Sequence, residues 1–430
     1  MLNMQGHKSN AMISLPLDIS DIAVLRVRQN RQGDYIITVE STLDGTRCQH
    51  CGRKLTKFHG HGRWIKLRHL PILGHRVYLQ LRPKQYVCPD CGNRTTTQQP
   101  DWYAAKSPHT NAYDESLMLS LVNSTVEDVS QKEALGYDAV KGAVRRCVRT
   151  RVAWDKFQEL SVLGIDEIAL RKGRQNYVAI ITSKQAAGRV VVLAVLPDRK
   201  KETVRQFLES IPRRLWPTMT TVCTDMWDGY ANAAKEFAAA HPEVSLNVVT
   251  DRYHVAKNYR DCVDTVRKKE CRRLKQELSA AEYDEAVKGM MWIVRKNHQA
   301  LTAAERARLR ALFELAPRLQ AAYTFREELS AIFEMCLTKA QAKIRLRKWA
   351  AKVRRSGLTC FDTFLTTLEN WFEEIANYFL DRLSSGFVEG LNNKIKTLKR
   401  RCYGILNTTT LFQRLHLDLE GYHLFALYNH

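Results

Sequence analysis

The amino-acid sequence predicts a multidomain α+β protein, and three patterns lead to that prediction. Two Cys-x-x-C pairs near the front predict a small metal-binding module. Strand-length apolar runs alternate with helical periods over residues 156–255, whereas residues 256–380 contain few glycines or prolines and are helical in pattern almost throughout. We therefore expect five segments in chain order: a zinc-binding module over 1–105, a helix-turn-helix over 106–155, a mixed α/β core over 156–255, a helical segment over 256–380 and a C-terminal helical segment over 381–430.

The charge of the chain is strongly positive. Its 430 residues include 67 Lys and Arg against 45 Asp and Glu, which gives a formal net charge of +22. Such an excess of cations favours binding to the phosphates of nucleic acid. A basic protein without a nucleic-acid partner is one alternative. An anionic membrane surface is a weaker one, and we expect no membrane partner because no apolar run is long enough to cross a bilayer.

Cysteine usage and the first residues predict where the protein works. The chain has 11 cysteines, an odd number, and seven of them are scattered singly. The segment Met1–Met12 is polar and lacks the apolar stretch of a secretory signal. Both observations fit a reducing compartment, so we expect a cytoplasmic protein.

Four paired cysteines form the most specific local pattern of the chain. Cys48 and Cys51 make the first pair, and Cys88 and Cys91 make the second. Four thiolates complete a tetrahedral shell around one structural Zn2+, and a glycine after each pair suits the tight turn of a zinc knuckle. Two disulfides are the alternative, which a reducing compartment disfavours. Five nearby histidines are expected not to be ligands, because four thiolates suffice: His50, His59, His61, His69 and His75.

Residues 110–152 follow a helical pattern in three segments. A first helix covers 115–123, a second begins after Thr125 as its cap and is broken by Gly136, and a third covers 137–151. The third helix carries predicted DNA-binding cations: Lys141, Arg145, Arg146 and Arg149. A basic helix after a short glycine turn is typical of helix-turn-helix DNA binding. A helical hairpin with a solvated basic face is the alternative.

Three aspartates directly follow predicted strands of the α/β core. The order of elements over 156–252 is predicted as β-β-β-α-β-α-β. Asp166 follows the first strand, Asp225 the fourth and Asp251 the fifth. Open α/β sheets bind ligands at such strand ends, and neighbouring carboxylates repel each other unless a cation lies between them. Mg2+ is the natural candidate, because it is a hard cation that prefers oxygen ligands. Ordinary turn chemistry is the alternative for any single aspartate.

A further carboxylate lies in the C-terminal helical segment. Residues 384–401 predict a helix whose apolar stripe leaves Glu389 on another side. The helix also carries cations that could contact a DNA backbone: Lys396, Lys399 and Arg400. A carboxylate beside such cations suits a metal-dependent nuclease. A glutamate favoured at a helix start by the macrodipole is the alternative.

The ordered motifs together resemble a known family. Besides the cysteine pairs and the helix-turn-helix pattern, they are Gly164-Ile-Asp-Glu-Ile168, Thr224-Asp-Met-Trp-Asp-Gly-Tyr230, Asp251-Arg-Tyr-His-Val255 and Phe387-Val-Glu-Gly-Leu-Asn-Asn-Lys-Ile-Lys396. The combination resembles bacterial insertion-sequence transposases of the ISL-three type, which belong to the DDE superfamily and have an RNase H-like nuclease core. The resemblance extends from about residue 45 to 425. One departure is Ser385, where the pattern leads us to expect an asparagine.

The resemblance implies a role for each carboxylate. Asp166, Asp225 and Glu389 would be the three catalytic acids and would hold Mg2+, or Mn2+ in its place. Asp251 is the rival for second place, and with His254 it could form an auxiliary site. The helical residues 256–380 would then be an insertion that interrupts the RNase H-like core, which the C-terminal segment completes.

The resemblance also implies DNA transposition by metal-dependent phosphoryl transfer. The partner would be double-stranded DNA, at the terminal inverted repeats of an insertion sequence and at the target, and the protein would act as a homodimer or larger when paired on two ends. It would be a bacterial, nucleoid-associated protein. One rival is a non-catalytic DNA-binding regulator derived from a transposase, which would need the zinc module and the basic helix but not the carboxylates. Another is a structure-specific nuclease, which would cut DNA without joining it.

Overall fold

Strands and helices are both abundant, as the predicted α+β class requires. A computed structural model describes residues 17–170, 177–185, 188–383 and 386–426, without the side chains of residues 387–389. The chain divides into two units. The first contains the residues up to Arg149 together with those from Glu420 onward, and the second contains Thr150–Leu419.

The first unit begins with short strands in three sheets. The strands are β1 (Ile22–Gln29), β2 (Tyr35–Ser41), β3 (Thr46–Arg47), β4 (Lys54–Leu55), β5 (Phe58–His61), β6 (Ile65–Ile72), β7 (His75–Leu81), β8 (Lys84–Cys88) and β9 (Arg94–Thr97). A four-stranded sheet has the order β1-β2-β7-β6, β3 pairs with β4, and a three-stranded sheet has the order β5-β8-β9. Alternate residues of β2 and β7, including Val39, Val77 and Leu79, form a small core.

Three helices follow these strands: α1 (Asn111–Leu121), α2 (Val126–Glu133) and α3 (Tyr137–Cys147). The predicted cap of α2 is confirmed, because the Thr125 hydroxyl accepts the N–H of Asp128 while the Asp128 carboxylate accepts the N–H of Thr125. The predicted break at Gly136 needs correction. The residue in the left-handed conformation is Ala134 (φ 49°), whereas Gly136 (φ −69°) is the N-cap of α3. The turn closes early because the Leu135 N–H bonds to the Ser130 carbonyl (2.9 Å).

A five-stranded mixed sheet lies at the centre of the second unit. Its elements are β10 (Val162–Ala169), β11 (Tyr177–Lys184), β12 (Val190–Leu196), α4 (Lys201–Glu209), β13 (Thr221–Thr224), α5 (Asp228–Ala240) and β14 (Asn247–Thr250). The predicted order of strands and helices is therefore confirmed. The strands are arranged as β12-β11-β10-β13-β14, with antiparallel pairs on the β12 side of β10 and parallel pairs on the β14 side. Helices α4 and α5 cover one face through Val204, Leu208 and Phe237.

The end of β10 differs from the prediction. The strand runs to Ala169, so Asp166 lies within it rather than after it. The parallel pairing with β13 ends where Ile165 faces Thr224, but the antiparallel pairing with β11 continues until Ala169 faces Tyr177. The hairpin partner β11 therefore extends β10 beyond the point at which its parallel neighbour leaves the sheet.

Helices fill the stretch between β14 and the C-terminal segment, as the sequence pattern predicted. They are α6 (Arg252–Glu277), α7 (Ala280–Val287), α8 (Met290–Arg295), α9 (Ala303–Leu315), α10 (Pro317–Glu334), α11 (Lys339–Arg355), α12 (Asp362–Asn370) and α13 (Phe372–Asp381). Their aromatic side chains, Trp349 and Phe364 among them, share one apolar core with the sheet. Helix α13 returns to the sheet, where the Asn377 amide donates to the Val248 carbonyl of β14 (2.8 Å).

Two further helices follow: α14 (Gly386–Arg401) and α15 (Thr408–Phe425). Leu391, Ile395 and Leu398 of α14 pack on the face of the sheet opposite to α4 and α5. The helix predicted over 384–401 is confirmed from Gly386 onward, and Ser385 lies outside the described residues. No helix in the described ranges combines the length and apolar content that crossing a membrane requires.

Candidate active site

Three aspartates lie beside one another toward the carboxyl ends of the three parallel strands of the five-stranded sheet. We call this side of the sheet the acidic edge. In the register of the three parallel strands, Ile165 of β10 pairs with Thr224 of β13, which pairs with Thr250 of β14. An aspartate follows each of these paired residues: Asp166, Asp225 and Asp251. The parallel arrangement is what brings three residues far apart in sequence to the same edge.

Asp166 is held by hydrogen bonds from two directions. Its Oδ1 accepts the backbone N–H of Glu167 (2.6 Å), and its Oδ2 accepts the Nδ2 amide of Asn392 on α14. Burial raises the pKa of Asp166, although these two hydrogen bonds and nearby His254 oppose the shift. The contact with Asn392 fixes α14 to the central strand of the sheet at this carboxylate.

Asp225 has the most perturbed carboxyl group of the edge. Burial, followed by the negative charges of Asp166 and Glu167, raises the pKa of Asp225 to about 6. Carboxylates so placed oppose one another's ionisation, and a cation between them would relieve that repulsion. The electrostatics of the pair therefore fit a bound cation.

Two buried polar atoms near these carboxylates have no hydrogen-bond partner among the described residues. They are the hydroxyl of Tyr230, a fully buried side chain in the first turn of α5, and the Oδ1 of Asn392. Burial and the charges of Glu167, Asp225 and Asp166 raise the pKa of Tyr230. Oxygen donors of this kind suit a hydrated Mg2+, whose waters would supply the missing hydrogen bonds.

The third predicted catalytic acid, Glu389, belongs to α14, but its side chain lies outside the described part of the chain. Asn392 follows it by three residues on the same helix. Among the described side chains, three or more metal-ligating groups lie within 4.8 Å of one another only in the cysteine cluster. Asp166, Asp225 and Asp251 are thus neighbours that do not converge on a single point.

Asp251 and His254, the predicted auxiliary pair, lie together where β14 leads into α6. The Asp251 Oδ1 accepts the backbone N–H of Tyr253 (3.0 Å) and so caps α6. Its Oδ2 is 3.8 Å from the Nε2 of His254. The charge of Asp251 adds to the raised pKa of Asp166, which puts the pair within electrostatic reach of the first aspartate.

Sequence reasoning missed several residues of this edge. Glu167 binds the Arg199 guanidinium (Nη1 to Oε2, 2.9 Å), and Tyr230 and Asn392 face the carboxylates as described above. Glu167, Tyr230 and Asn392 stand inside the motifs that carry the family resemblance, which was the available signal. Arg199 stands in no such motif.

The four cysteines form the second candidate metal centre. Cys48 Sγ is 3.8 Å from Cys91 Sγ, and Cys51 Sγ is 3.6 Å from Cys88 Sγ. A tetrahedral Zn2+ with Zn–S bonds of about 2.3 Å would place its sulfurs about 3.8 Å apart, so the spacing fits zinc. The glycines after both pairs have positive φ, 74° at Gly52 and 66° at Gly92, as the predicted knuckles require.

The predicted DNA-binding residues differ in how free they are. Arg145 of α3 and Lys396 and Arg400 of α14 are exposed, and Lys141 is partly exposed above the Tyr137 ring. The helix predicted to reach residue 151 ends at Cys147, so the exposed Arg149 lies beyond α3. Arg400 donates within its own helix, from Nε to the Lys396 carbonyl (3.4 Å), whereas two of the predicted residues are bonded to other elements. Arg146 donates to both carboxylate oxygens of the buried Asp114 (2.6 and 2.9 Å), and the Lys399 ammonium donates to the Ala169 carbonyl.

Comparison with known proteins gives matches over most of the chain. Residues 163–415 match the family profile of ISL3-type DDE transposases, described as transposase, and residues 44–104 match the zinc-finger of transposase IS204/IS1001/IS1096/IS1165. The transposase for insertion sequence element IS1001 of Bordetella parapertussis is 27% identical over 386 residues, which cover 90% of this chain and 91% of that protein. The transposase for insertion sequence element IS1557 of Mycobacterium tuberculosis, in two strains, is 24% identical over 395 residues, 87% of this chain and 86% of that protein.

These matches agree with the sites described above. The range matched by the first profile covers more than half of the chain and includes Asp166, Asp225, Asp251 and Glu389. The range matched by the second includes the four paired cysteines. The protein therefore belongs to the ISL3 family of transposases, the ISL-three type whose motifs its sequence resembles.

Proposed function

We propose that the protein is a DNA transposase that binds the terminal inverted repeats of an insertion sequence and catalyses metal-dependent cleavage and transfer of DNA strands. The proposal depends most on Asp166, within β10, and Asp225, directly after the adjacent strand β13, because the pKa values of both carboxyl groups are raised. Such perturbed, neighbouring acids are typical of catalytic sites rather than of structural ion pairs. The names of the relatives, transposases for insertion sequence elements, agree with it.

The sheet order supports an RNase H-like core. An antiparallel meander, β10 to β12, is extended by β13 and β14 in parallel to β10, and helices lie on both faces. In that fold the first and fourth strands are neighbours, and these are the strands of Asp166 and Asp225. Helices α6 to α13 would then be the insertion, and α14 would complete the core.

The proposed third acid is Glu389, at the start of α14. The support is indirect and comes from Asn392, one turn further along, which donates to the Asp166 carboxylate. The apolar stripe of α14 against the sheet provides a second anchor. Both contacts orient the first turns of α14 toward the edge on which the aspartates lie.

The residues of the site would act mainly by positioning. Divalent ions, Mg2+ or Mn2+, held by Asp166, Asp225 and Glu389 would activate the attacking oxygen and stabilise the leaving oxygen of the phosphodiester. The Glu167 N–H and the Asn392 amide fix the orientation of Asp166. The buried Tyr230 hydroxyl can donate to a water beside the carboxylates, which would keep that water ordered near the reacting phosphate.

DNA binding is proposed for three surfaces. Helices α2 and α3 would act as a helix-turn-helix, with Arg145 exposed on α3 and Arg149 exposed just beyond its end. Lys396 and Arg400 of α14 would contact the backbone near the cleaved bond. The zinc module would contribute to end recognition. Because an insertion sequence has two inverted ends, we propose that the protein pairs them as a homodimer or larger assembly.

The test is strand cleavage by the Asp166→Asn variant. Asparagine keeps the shape of the side chain and an oxygen for the Glu167 N–H but removes the charge that would hold a divalent ion. With end-containing DNA and Mg2+, we expect cleavage to fall by at least about 100-fold while binding in a gel-shift assay is retained. The control Asp261→Asn changes an exposed acid of α6 and should leave both unchanged.

The same assay separates the rival functions. A DNA-binding regulator would bind the ends but leave them uncut with either Mg2+ or Mn2+, in the original chain as well as in the variant. A structure-specific nuclease would cut DNA and never join the freed 3′ end to a target. Normal cleavage by Asp166→Asn would refute the assignment of this aspartate.

A further inference from the structure

A cation held between two aromatic rings lies beside the acidic edge. The guanidinium of Arg199 is 4.6 Å from the ring centre of Tyr177 and 4.2 Å from that of Trp227. It also donates to the Glu167 carboxylate (2.9 Å). We call these residues, Tyr177, Arg199 and Trp227, the aromatic–cation stack. None of the three has a part in the catalytic scheme above.

In the amino-acid sequence, a residue that anchors the stack and a residue that belongs to it lie close to the two proposed catalytic aspartates. Glu167, which anchors Arg199, directly follows Asp166 on β10, and Trp227 follows Asp225 by two residues. Because β10 and β13 are paired neighbours, the stack lies at the same edge of the sheet as the two carboxylates. A group bound there would be next to the reacting phosphodiester.

The indole of Trp227 is held in place although much of it is exposed. Arg199 covers one side of the ring, and a Cβ atom at Gly229 would come within 2.7 Å of the indole Nε1, so the ring packs where only glycine leaves room. Trp227 is nevertheless 39% exposed. A ring that the protein orients and also leaves open can receive a second planar group.

The chemistry around the ring indicates which planar group fits. Arg199, Lys200 and Lys201 are consecutive in the chain. Lys201 pairs with Glu236 (2.7 Å), whereas the Lys200 side chain is 79% exposed and lies 4.0 Å from Asp198. Cations suit the phosphates on either side of a nucleotide, and an exposed indole suits its base, since every base has a face that can stack. A purely structural stack would explain the buried side of the ring but not its exposure beside this basic run.

We propose that Trp227, oriented by Arg199 and Gly229, is a stacking site for a DNA base next to the cleaved phosphodiester. The base is displaced from its neighbours in the duplex and lies on the open part of the indole, which holds the adjacent phosphate near Asp166 and Asp225. This inference depends on the proposed function, because the base belongs to the DNA that these aspartates would cleave.

The first test is photo-crosslinking with the full-length Asp166→Asn protein, which is expected to bind the ends without cutting them. End-containing DNA carries 5-iodouracil at one position at a time around the cleavage site. We expect crosslinks to Trp227, identified by mass spectrometry, from one or two adjacent positions. Crosslinks confined to other residues at every position would overturn the proposal.

The second test is cleavage by variants with Asp166 intact. We expect Trp227→Ala to lower cleavage about 10-fold, the loss typical of one base stack, and Trp227→Phe to restore most of it. Gly229→Ala keeps the indole but displaces it, so we expect it to lower cleavage and also the crosslinking of DNA to Trp227. The matched control is Trp292→Ala on α8, where the side chain is 65% exposed, and it should change nothing.

The outcomes distinguish this inference from the proposed function. If the original chain cleaves the ends and Trp227→Ala cleaves them equally well, the stacking site is refuted and the catalytic assignment stands. If the original chain never cleaves the ends, the proposed function fails, and the crosslinking result then reports on DNA binding alone. Thermal unfolding of each variant shows whether a loss reflects misfolding instead.

Discussion

Two partly buried aspartates in the second unit experience opposite environments. Asp264 on α6 lies among Arg267, Lys268 and Arg295; burial alone would raise its pKa, but these cations lower it to about 2. Asp225 lies among other carboxylates and burial raises its pKa to about 6. The first acid already has cationic partners within the protein, whereas burial and neighbouring carboxylates dominate the environment of the second. This difference distinguishes a structural acid from a candidate metal ligand.

The lowered pKa of Asp264 leads us to predict that this residue contributes to stability in a pH-dependent way. Its folded pKa lies below the ordinary value of 3.8, so its contribution is complete above about pH 4 and is lost as the pH falls through about 2. We expect Asp264→Asn to lower the free energy of unfolding by roughly 1 to 2 kcal/mol at neutral pH. Urea unfolding between pH 2 and 7 should show this difference shrinking at the acidic end.

The control for Asp264 is Asp284→Asn on α7. Asp284 pairs with Lys288 at 3.6 Å with both side chains mostly exposed, so its loss should cost less than about 0.5 kcal/mol. A constant difference between Asp264→Asn and the original chain over the whole pH range would contradict the assignment of the effect to this ion pair.

Single residues were predictable when their role had a local pattern. Asp166, Asp225 and Asp251 could be singled out because each follows an apolar run of strand length. The contact of Arg199 with Glu167 joins residues 32 positions apart, and that of Asn392 with Asp166 joins residues 226 apart. Neither contact has a signal in the local sequence, since only the packing of the sheet and α14 brings the partners together.

At the scale of elements, the end of α2 stores backbone strain. Ala134 has φ 49°, a left-handed conformation that costs an alanine about 1 kcal/mol more than a glycine. We expect Ala134→Gly to raise the free energy of unfolding of the first unit by about 0.5 to 1 kcal/mol. Urea denaturation followed by circular dichroism would measure the change.

Gly136 provides the matched comparison, since the sequence pattern placed the break of the helix there. It has φ −69° and no atom within 4 Å of where a Cβ would lie, so Gly136→Ala meets no steric obstacle and should cost at most about 1 kcal/mol, because alanine is a poorer N-cap than glycine. Destabilisation by Ala134→Gly, or a large loss from Gly136→Ala, would mean that the strain is assigned to the wrong residue.

Element types were predictable further than element ends. The order of strands and helices in the core follows from alternating apolar periods, and the helical stretch after β14 follows from its scarcity of glycine and proline. Where an element ends depends on the neighbouring residues with which it forms hydrogen bonds. The antiparallel strand β11 carries β10 past Asp166, and a hydrogen bond to Ser130 closes α2 two residues before the glycine.

At the scale of the whole molecule, the cysteine cluster lies in the first of the two units. Cys88 is fully buried and shares a small core with Cys48, Leu55 and Tyr86. A module with so little apolar core depends on its metal for stability. We expect Cys88→Ser to lose bound zinc, measured by elemental analysis, and to make residues 44–104 sensitive to protease while 150–419 stay resistant.

Cys336→Ser is the control, because Cys336 is an exposed single cysteine on the second unit. It should retain about one zinc per chain. Equal zinc content in the two variants would show that the four cysteines do not form the metal centre. Protection of residues 44–104 after zinc loss would show that the module folds without its metal.

The five segments predicted from sequence were based on changes of pattern along the chain, whereas the two units reflect contacts in space. The cysteine pairs and the carboxylate edge were recognisable because each occupies a short stretch or a repeated strand end. That α13 returns to β14 could not be predicted, because no local pattern marks which of many helices packs against the sheet. The segment boundaries at 105, 155, 255 and 380 stay predictions.

The return of α13 has an evolutionary consequence. The polypeptide leaves the sheet at the end of β14 and comes back to the same strand through Asn377, so its departure and arrival points are close together. A segment that begins and ends at neighbouring points can change in length during evolution without displacing the strands that position Asp166 and Asp225. Trp349 and Phe364 share the apolar core with the sheet, however, so we expect descendants to vary in the outer helices and to keep those that seal the sheet.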